Sequence, residues 1–417
     1  MPMFWMKILS LAGIFVIFAV TWLISENKRK FPFRIIAWGL ILQFSFALLV
    51  LYVPFGVNAF RWMGDRVAEF LDFSKKGAEF VFGNASKPEY QNTFGYQFAI
   101  IISSTIIFFS AFVSILYRYG IIQRIVYAMA WVMNKTMGTS GIESLSAASN
   151  VFLGQTEAPL LVRHYLVNAT RSELFSIMCG GFATIAGGVM AAYIQMGISP
   201  VILITASLIS APGSLMLSKI VIEPLSSVKD IKEVKNITVP ETKNILDAIT
   251  QGASDGMKLA INVVAMLIAF ISLIAILDAG LQLVHNWLEP IGIYFPQSLK
   301  EIFGYLFLPF AYIVGVPPSE AKIFASLLGT KISINEFIAY ADLANLIHQG
   351  KISQRTIDLA TFALCGFANL GSIAIQIGGI GALVPNRRDE VVQLGFKAMI
   401  VGALTNLLTA TIAGIII

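Results

Sequence analysis

The sequence predicts an all-α polytopic membrane protein: eight transmembrane helices, two re-entrant helical hairpins in an inverted repeat, and interfacial helices. Three observations predict it. Of 417 residues, 57% are hydrophobic and only 13% charged, against roughly 45–50% and 25% in soluble domains; mean hydropathy is +0.77. Apolar windows close to the ~20 residues that cross a bilayer fall at 8–25, 35–53, 98–117, 174–196, 201–217, 259–284, 359–383 and 398–417. Two more apolar segments, 139–165 and 319–350, are interrupted by Gly, Pro or polar residues, and each carries an acid.

The first run, from Ile8 to Ser25, is too long for the apolar part of a signal peptide and lacks a small-residue cleavage site. A basic cluster follows it, Lys28, Arg29, Lys30 and Arg34. It is expected to be a retained helix, with its N-terminus outside and the next loop cytoplasmic. Beyond the second span, Phe60, Met63, Val67, Phe70 and Leu71 recur at helical spacing among Arg61, Asp65, Arg66, Glu69 and Asp72. That is an amphipathic helix, lying at the interface or against a partner subunit. Basic residues then mark every second loop: Arg118, Arg124 and Lys135 after the third span, Lys219 to Lys243 after the fifth, Arg387 and Arg388 before the last. The turn near Pro200 has none. This alternation places both termini outside, provided that 139–165 and 319–350 each enter and leave on one side. Broken backbone at membrane depth is tolerated only inside protein or beside a wet cavity. Both segments are therefore expected to be re-entrant hairpins, the first opening to the cytoplasm and the second outward. Residues 224–245, rich in Lys, Glu, Ser and Pro, read as a solvated cytoplasmic linker.

Several classes are excluded. The two cysteines, Cys179 and Cys365, lie in apolar segments and cannot make a disulfide framework or a zinc cluster. The three histidines share no ligand spacing, and no P-loop or dinucleotide fingerprint occurs. The net charge of +5 is spread between apolar runs rather than gathered with aromatics, so no nucleic-acid partner is expected. No soluble protein partner is implied.

An internal repeat points to transport. MCGGFATIAGG (178–188) and LCGFANLG (364–371) each follow a broken, acid-bearing hairpin, with FLGQTE (152–157) in the first and LLGTKISINE (327–336) in the second. The topology sets the two copies in opposite senses, and interrupted helices in inverted repeats are the sequence pointer to a secondary transporter's site.

The polar residues near the breaks suggest the chemistry. A carboxylate at the bilayer centre costs ~2.5–3.5 kcal/mol on insertion scales, so Glu157 and Glu336 are expected to accept hydrogen bonds from a hydroxylated or amide-bearing solute. The competing reading is an interfacial or capping role. Gln155 and Thr156 add an amide and a hydroxyl able to read a polar planar group. Asn369 and Ser372, three apart, share a helix face, with Phe367 near enough to pack on a flat ring. Asn150 and Thr184 offer oxygens to a hard cation such as sodium beside a helix break; on the residues alone, a satisfied buried amide and hydroxyl fit equally well. Glu143, Asp278 and Glu320 are expected to be interfacial or capping charges.

Taken together, GQTEAPLLV (154–162), SELFSIMCGGFATIAGGVMAAY (172–193), NEF (335–337), ALCGFANLGSIAI (363–375) and NLLTATIAG (406–414) resemble the concentrative nucleoside transporters of the bacterial type. The resemblance runs in the same order over nearly the whole chain. It implies a homotrimer whose transport parts move by an elevator motion past a scaffold, importing a nucleoside such as uridine with sodium (Na+) as coupling ion across the bacterial cytoplasmic membrane. By position, it implies that Gln155, Thr156 and Glu157 contact the base and that Glu336, Asn369 and Ser372 hold the ribose. Val189, Leu259 and Phe367 line apolar walls, and sodium is held by Asn150 and Thr184 with the carbonyls of Leu153 and Ile185. It also divides the chain. Residues 1–95 (two spans and the amphipathic helix) and 259–318 (a long sixth span and outer segment) belong with the scaffold, and 96–138 holds the third span and an interfacial helix. Residues 139–200 and 319–417 form the transport parts, and 201–258 supplies the fifth span and linker.

Other readings stay open. Proton coupling is the nearest alternative. A transporter for another small polar solute, such as a dicarboxylate or amino acid, should bring Arg or Lys to the hairpins. The other alternative is an intramembrane enzyme, such as a protease or a lipid transferase. A serine protease should place a Ser with a His among apolar helices, whereas His285 and His348 read as loop residues and His164 as a hairpin end.

Overall fold

With no water inside a bilayer, a spanning chain must close its backbone hydrogen bonds within itself. The computed structural model does so with helices alone: no strand occurs among the described residues, 2–90, 93, 97–224 and 242–417. The first two spans are α1 (Met3–Leu23) and α2 (Phe33–Leu51). The amphipathic segment is one helix, α3 (Pro54–Asp72), opened by a proline in its first turn, where the missing N–H costs nothing. A short α4 (Ser74–Phe82) leads toward the third span, α5 (Phe98–Arg118). Left-handed glycines, Gly120 (φ 71°) and Gly138 (φ 74°), bound the interfacial α6 (Ile121–Met137).

Both broken segments are hairpins. The first comprises α7 (Gly141–Ser149), a non-helical tip at 150–156, then α8 (Glu157–Leu161) and α9 (Arg163–Leu166). Ser140 and Glu143 form a capping box at its start, Ser140 N–H donating to Glu143 Oε1 at 2.8 Å. The second comprises α16 (Ala321–Ser333) and α17 (Glu336–His348), the latter capped by Asn335 Oδ1, which accepts from the Ile338 N–H at 2.9 Å. Between the hairpins run α10 (Arg171–Ala183), α11 (Gly187–Gln195), α12 (Pro200–Val221), α13 (Ile245–Leu288), α14 (Leu299–Leu306) and α15 (Leu308–Val314). After the second hairpin come α18 (Gln354–Leu364), α19 (Leu370–Leu383) and α20 (Arg388–Ile416).

Among the described residues, seven helices are long and apolar enough to cross a membrane. The window at 359–383 is not one helix: α18 stops at Leu364 and α19 restarts at Leu370, capped by Asn369. These two pieces together make the eighth crossing. The window at 174–196 is likewise split, with Thr184 extended (φ −127°, ψ 169°) between α10 and α11. The sixth span begins earlier than the window at 259–284, because Asn244 caps a 44-residue α13, its Oδ1 accepting from the Asp247 N–H at 2.8 Å. At 1.5 Å per residue that helix is about 66 Å long. Of the expected linker at 224–245, residues 225–241 lie outside the described residues; at its far end Arg118 donates to the carbonyls of Thr242 and Lys243.

Packing follows residue size. The most apolar helix, α13, is the least buried of the long ones and lies along α5. Gly252 and Gly256 permit this: a Cβ at 256 would lie 2.8 Å from Ile107 Cα, the small-residue spacing of close membrane helices. α10, α12 and α20 form the buried centre, and α1 and α2 lie against α12 and α20.

His285 is not in a loop. It sits in the last turn of α13, buried, with Nδ1 at 2.5 Å from the Phe295 carbonyl. Asp278 accepts from the Leu299 N–H at 2.8 Å, and Glu320 from Ser353, as capping charges. Glu143 caps too, but is also buried (2% exposed) in an ion pair with Lys219 (1% exposed).

Candidate substrate and cation site

The two helix breaks meet. The Phe367 N–H, in the break between α18 and α19, donates to the carbonyl of Thr184, in the break between α10 and α11, at 3.2 Å. Asn406 of α20 reaches both: its Nδ2 donates to the carbonyls of Ala183 and Cys365, each at 2.7 Å. Helices end with unpaired carbonyls, and one amide serves two of them. Gly366 leaves room for it, since a Cβ there would collide with the Asn406 side chain. Asn406 Oδ1 accepts from Lys331 Nζ of α16 at 2.6 Å, and that ammonium also donates to the Ala363 carbonyl at 2.8 Å.

Around this junction the hairpin tips bring polar side chains together. Glu336 opens α17, 5% exposed. Its Oε2 accepts from Asn369 Nδ2 at 2.9 Å and its Oε1 from the Tyr193 hydroxyl at 3.3 Å. Asn369 and Ser372 do share a face, in a particular way: Asn369 is the N-cap of α19, and its Oδ1 accepts from the Ser372 N–H at 2.8 Å. Gln155, from the tip of the first hairpin, donates from Nε2 to Ser372 Oγ at 3.1 Å, while its Oε1 is buried without a partner among the described residues. Residues of both repeats thus form one polar group, Gln155–Ser372–Asn369–Glu336–Tyr193.

Beside it lies a cavity of about 470 Å³, walled by the first hairpin, the start of α11, α5 and the first turns of α13. Glu157 and Leu259 line it, with Phe109, Tyr117, Gly188 and Asp255. The expected tip therefore divides. Glu157 is exposed on the cavity face at the start of α8. Gln155, two residues earlier, turns the other way toward α19, and half-buried Thr156 packs against Gly379, where a Cβ would lie 2.9 Å from its methyl. Val189 is buried behind Gly188, and Phe367 is half-buried in the second break.

The cation candidates also come together. Asn150 and Thr184 are 0% and 1% exposed. Asn150 ends α7 where that helix packs on α10; a Cβ at Gly180 would lie 3.3 Å from its Nδ2. Its Nδ2 donates to the Ser146 carbonyl at 3.0 Å, and its Oδ1 has no hydrogen-bond partner among the described residues. Thr184 Oγ1 donates to the Gly180 carbonyl at 2.9 Å, which leaves its lone pairs free to accept. Leu153 and Ile185 lie in the adjoining tip and break.

Four residues of this centre escape a reading by motif: Tyr193, Lys331, Asn335 and Asn406. Each stands inside or beside a quoted motif, and a polar residue within an apolar run is the signal that marks it. Lys331 also bears on the anionic-solute reading. A lysine does lie in the second hairpin, but its Nζ is engaged by Ala363 and Asn406 rather than facing the cavity.

Known proteins resemble this chain along its length. A family model described as "Na+ dependent nucleoside transporter C-terminus" matches residues 202–414, its N-terminal counterpart matches 12–85, and one described as "Nucleoside recognition" matches 99–200. The chain is 42% identical over 412 residues to an uncharacterized transporter of Haemophilus influenzae, covering 98% of this chain and 97% of that one. It is 38% identical over 423 residues to the nucleoside permease NupC of Helicobacter pylori, covering 100% and 99%. Sodium/nucleoside cotransporter 1 of Rattus norvegicus is 39% identical across 98% of this chain, which spans only 64% of that longer protein. Among solved structures, CNTnw in an inward-facing substrate-bound state superposes with a TM-score of 0.92 at 37% identity, covering 99% of this chain and 98% of that one. A CNTnw variant in an outward-facing state also gives 0.92 at 37% identity, covering 98% and 97%. These relatives are transporters rather than enzymes, and two access states are recorded on one fold. Matched along nearly its full length by these transporters, the chain is an integral membrane protein that belongs to the Na+-dependent nucleoside transporter family.

Proposed function

We propose that the protein is a secondary active symporter that imports nucleosides across the cytoplasmic membrane, driven by a sodium gradient. The observation that carries this reading is the polar group joining the two repeats, in which Gln155, Ser372, Asn369 and Glu336 hold one another. The Gln155–Ser372 and Asn369–Glu336 contacts join side chains that a solute's own hydroxyl and amide groups can replace. Ribose hydroxyls would bond Glu336, Asn369 and Ser372, and the base would bond Gln155 and Thr156, with Glu157 reached from the cavity. Val189, Leu259 and Phe367 supply apolar walls. Because Glu336 is buried, losing its donors is costly, and such a site discriminates against a solute lacking the hydroxyl.

Sodium travels as co-substrate. The buried Asn150 Oδ1, with no hydrogen-bond partner, supports a cation there, alongside Thr184 Oγ1 and the carbonyls of Leu153 and Ile185. Binding at the junction of α7 and α10 would order the first hairpin and raise solute affinity, a coupling of ~1–3 kcal/mol. The exposed apolar length of α13, packed on α5, suits a scaffold shared in a homotrimer, past which the hairpins move as an elevator. Both termini face outward in this arrangement, and Arg118 and Arg163 stand among the residues that line the cavity.

Labelled uridine accumulation in proteoliposomes tests the reading. A sodium gradient should drive accumulation, and replacing sodium with choline should abolish it. Undiminished accumulation in choline would overturn sodium coupling in favour of protons. No accumulation under any gradient would overturn the nucleoside.

A further inference from the structure

Lys331 lies in the last turn of α16, completely buried, and makes no ion pair among the described residues. Its ammonium instead rests on two neutral oxygens. One is the Ala363 carbonyl, in the last turn of α18, where the helix end carries negative partial charge. The other is Asn406 Oδ1, whose orientation follows from the opposite side of that amide, since Nδ2 donates to two carbonyls.

The first repeat builds the same junction without the lysine. In each repeat the first helix of a hairpin ends against the last turn of a broken helix. Counted back from the residue that ends each hairpin helix, Asn150 and Ile334, the third position is Ala147 in one and Lys331 in the other. Ala147 occupies the contact itself: its Cα lies 3.8 Å from where a Gly180 Cβ would be. Beside it the Asn150 Oδ1 is buried and unpartnered. The first junction thus leaves the Asn150 Oδ1 bare, and the second covers the Ala363 and Asn406 oxygens with an ammonium fixed to the chain, although Thr330 Oγ1 beside it has no hydrogen-bond partner among the described residues.

We propose that Lys331 is a tethered cation, the permanent counterpart of the exchangeable ion at the first junction. It is a positioning residue. A free ion leaves when its concentration falls, whereas a covalently held ammonium cannot. The second hairpin therefore stays docked on α18 through the cycle, with Glu336, five residues on, held beside Asn369. Only the first hairpin is left for an ion to order.

The affinity readout rests on the nucleoside reading above; a second readout does not. In purified protein, Lys331→Met keeps the length of the side chain and removes its charge. Uridine affinity should fall about tenfold or more, as expected for buried oxygens that lose a charged donor. The sodium-dependent rise in melting midpoint should match that of the wild type, because sodium acts at the other junction. Wild-type uridine affinity in this variant overturns the proposal, as does a lost sodium response. Lys331→Ala opens a slot the shape of propylammonium. That amine should raise the melting midpoint of Lys331→Ala, and its uridine affinity, while tetramethylammonium and the wild-type protein show no such effect. Absence of amine-specific rescue overturns the proposal even if Lys331→Met fails to fold. Wild-type protein that binds no uridine overturns the nucleoside reading instead, and the amine-dependent melting then decides this one.

Discussion

The backbone N–H of Phe367 donates to the carbonyl of Thr184 at 3.2 Å, so the unwound part of one repeat is hydrogen-bonded to the unwound part of the other. Neither break is a loose end. Each supplies a partner that the other needs, and Asn406 closes the carbonyls that remain. The site is therefore built on backbone that is irregular yet satisfied, the condition under which such backbone survives at membrane depth.

Glu336 is the most exacting position. A Gln there would present an amide nitrogen to Asn369 Nδ2 or the Tyr193 hydroxyl, where the carboxylate accepts from both. Glu336→Gln should lower nucleoside uptake on the order of a hundredfold with the oligomeric state unchanged. Uptake in proteoliposomes, alongside size-exclusion chromatography, checks both halves.

Asn406→Leu removes three bonds at once and leaves Lys331 with a single partner. Stranding buried polar groups costs roughly 1–3 kcal/mol each, so a loss of about 3 kcal/mol or more is expected. A thermal midpoint equal to that of the wild type would contradict the stapling role.

Gly256→Val addresses the contact of α5 with α13. The new Cβ would meet Ile107 Cα at 2.8 Å and Ser110 Cβ at 2.9 Å, and backbone cannot yield as a side-chain tip can. Overpacking of this kind costs typically ~1–3 kcal/mol. Denaturation in detergent reads it directly, and Gly280→Val, where nothing lies within 4 Å, is the control.

Glu26, in the turn between α1 and α2, accepts from Lys397 at 3.0 Å and from Arg171 at 3.3 Å. Partial burial pushes its carboxyl up, but the hydrogen bonds and charges of Lys397 and Arg171 outweigh this and hold it below its usual value. A depressed folded-state value makes the contribution complete above the unfolded carboxylate pKa of roughly 4.3. It is lost as pH falls through the lower, folded value. Melting curves of wild type and Glu26→Gln should differ at neutral pH and converge under acid, with the difference shrinking in high salt.

What was legible in the sequence was local. The glycine and proline of FLGQTEAP and the acid of NEF mark hairpin tips within a few residues, and both hairpins are present. The spacing from Phe60 to Leu71 foretells α3. Contacts distant in sequence leave no such trace: Tyr193 meets Glu336 across 143 positions and Lys331 meets Asn406 across 75. Hydropathy windows also miss breaks that carry no charge. Cys365–Asn369 is nearly as apolar as its surroundings, so α18 and α19 read as one span. Asp255 and Lys258 had the opposite effect, hiding the first turns of a helix that begins at Ile245. Gln155 and Glu157 read as one group in the sequence, and only the fold shows that Gln155 meets Ser372 while Glu157 lines the cavity.

Those early turns of α13 have a consequence of their own. Between Lys258 and Asp278 the helix carries no charged residue, a stretch of nineteen residues and about 28 Å, one hydrocarbon layer. The fourteen residues before it, Ile245 to Lys258, carry the helix beyond that length, and Gly252 and Gly256 among them pack on Ser110 and Ile107 of α5. Gln251 and Asp255 of these turns wall the cavity, so the added length of α13 lends it an amide and a carboxylate that a helix cut to one hydrocarbon layer would lack.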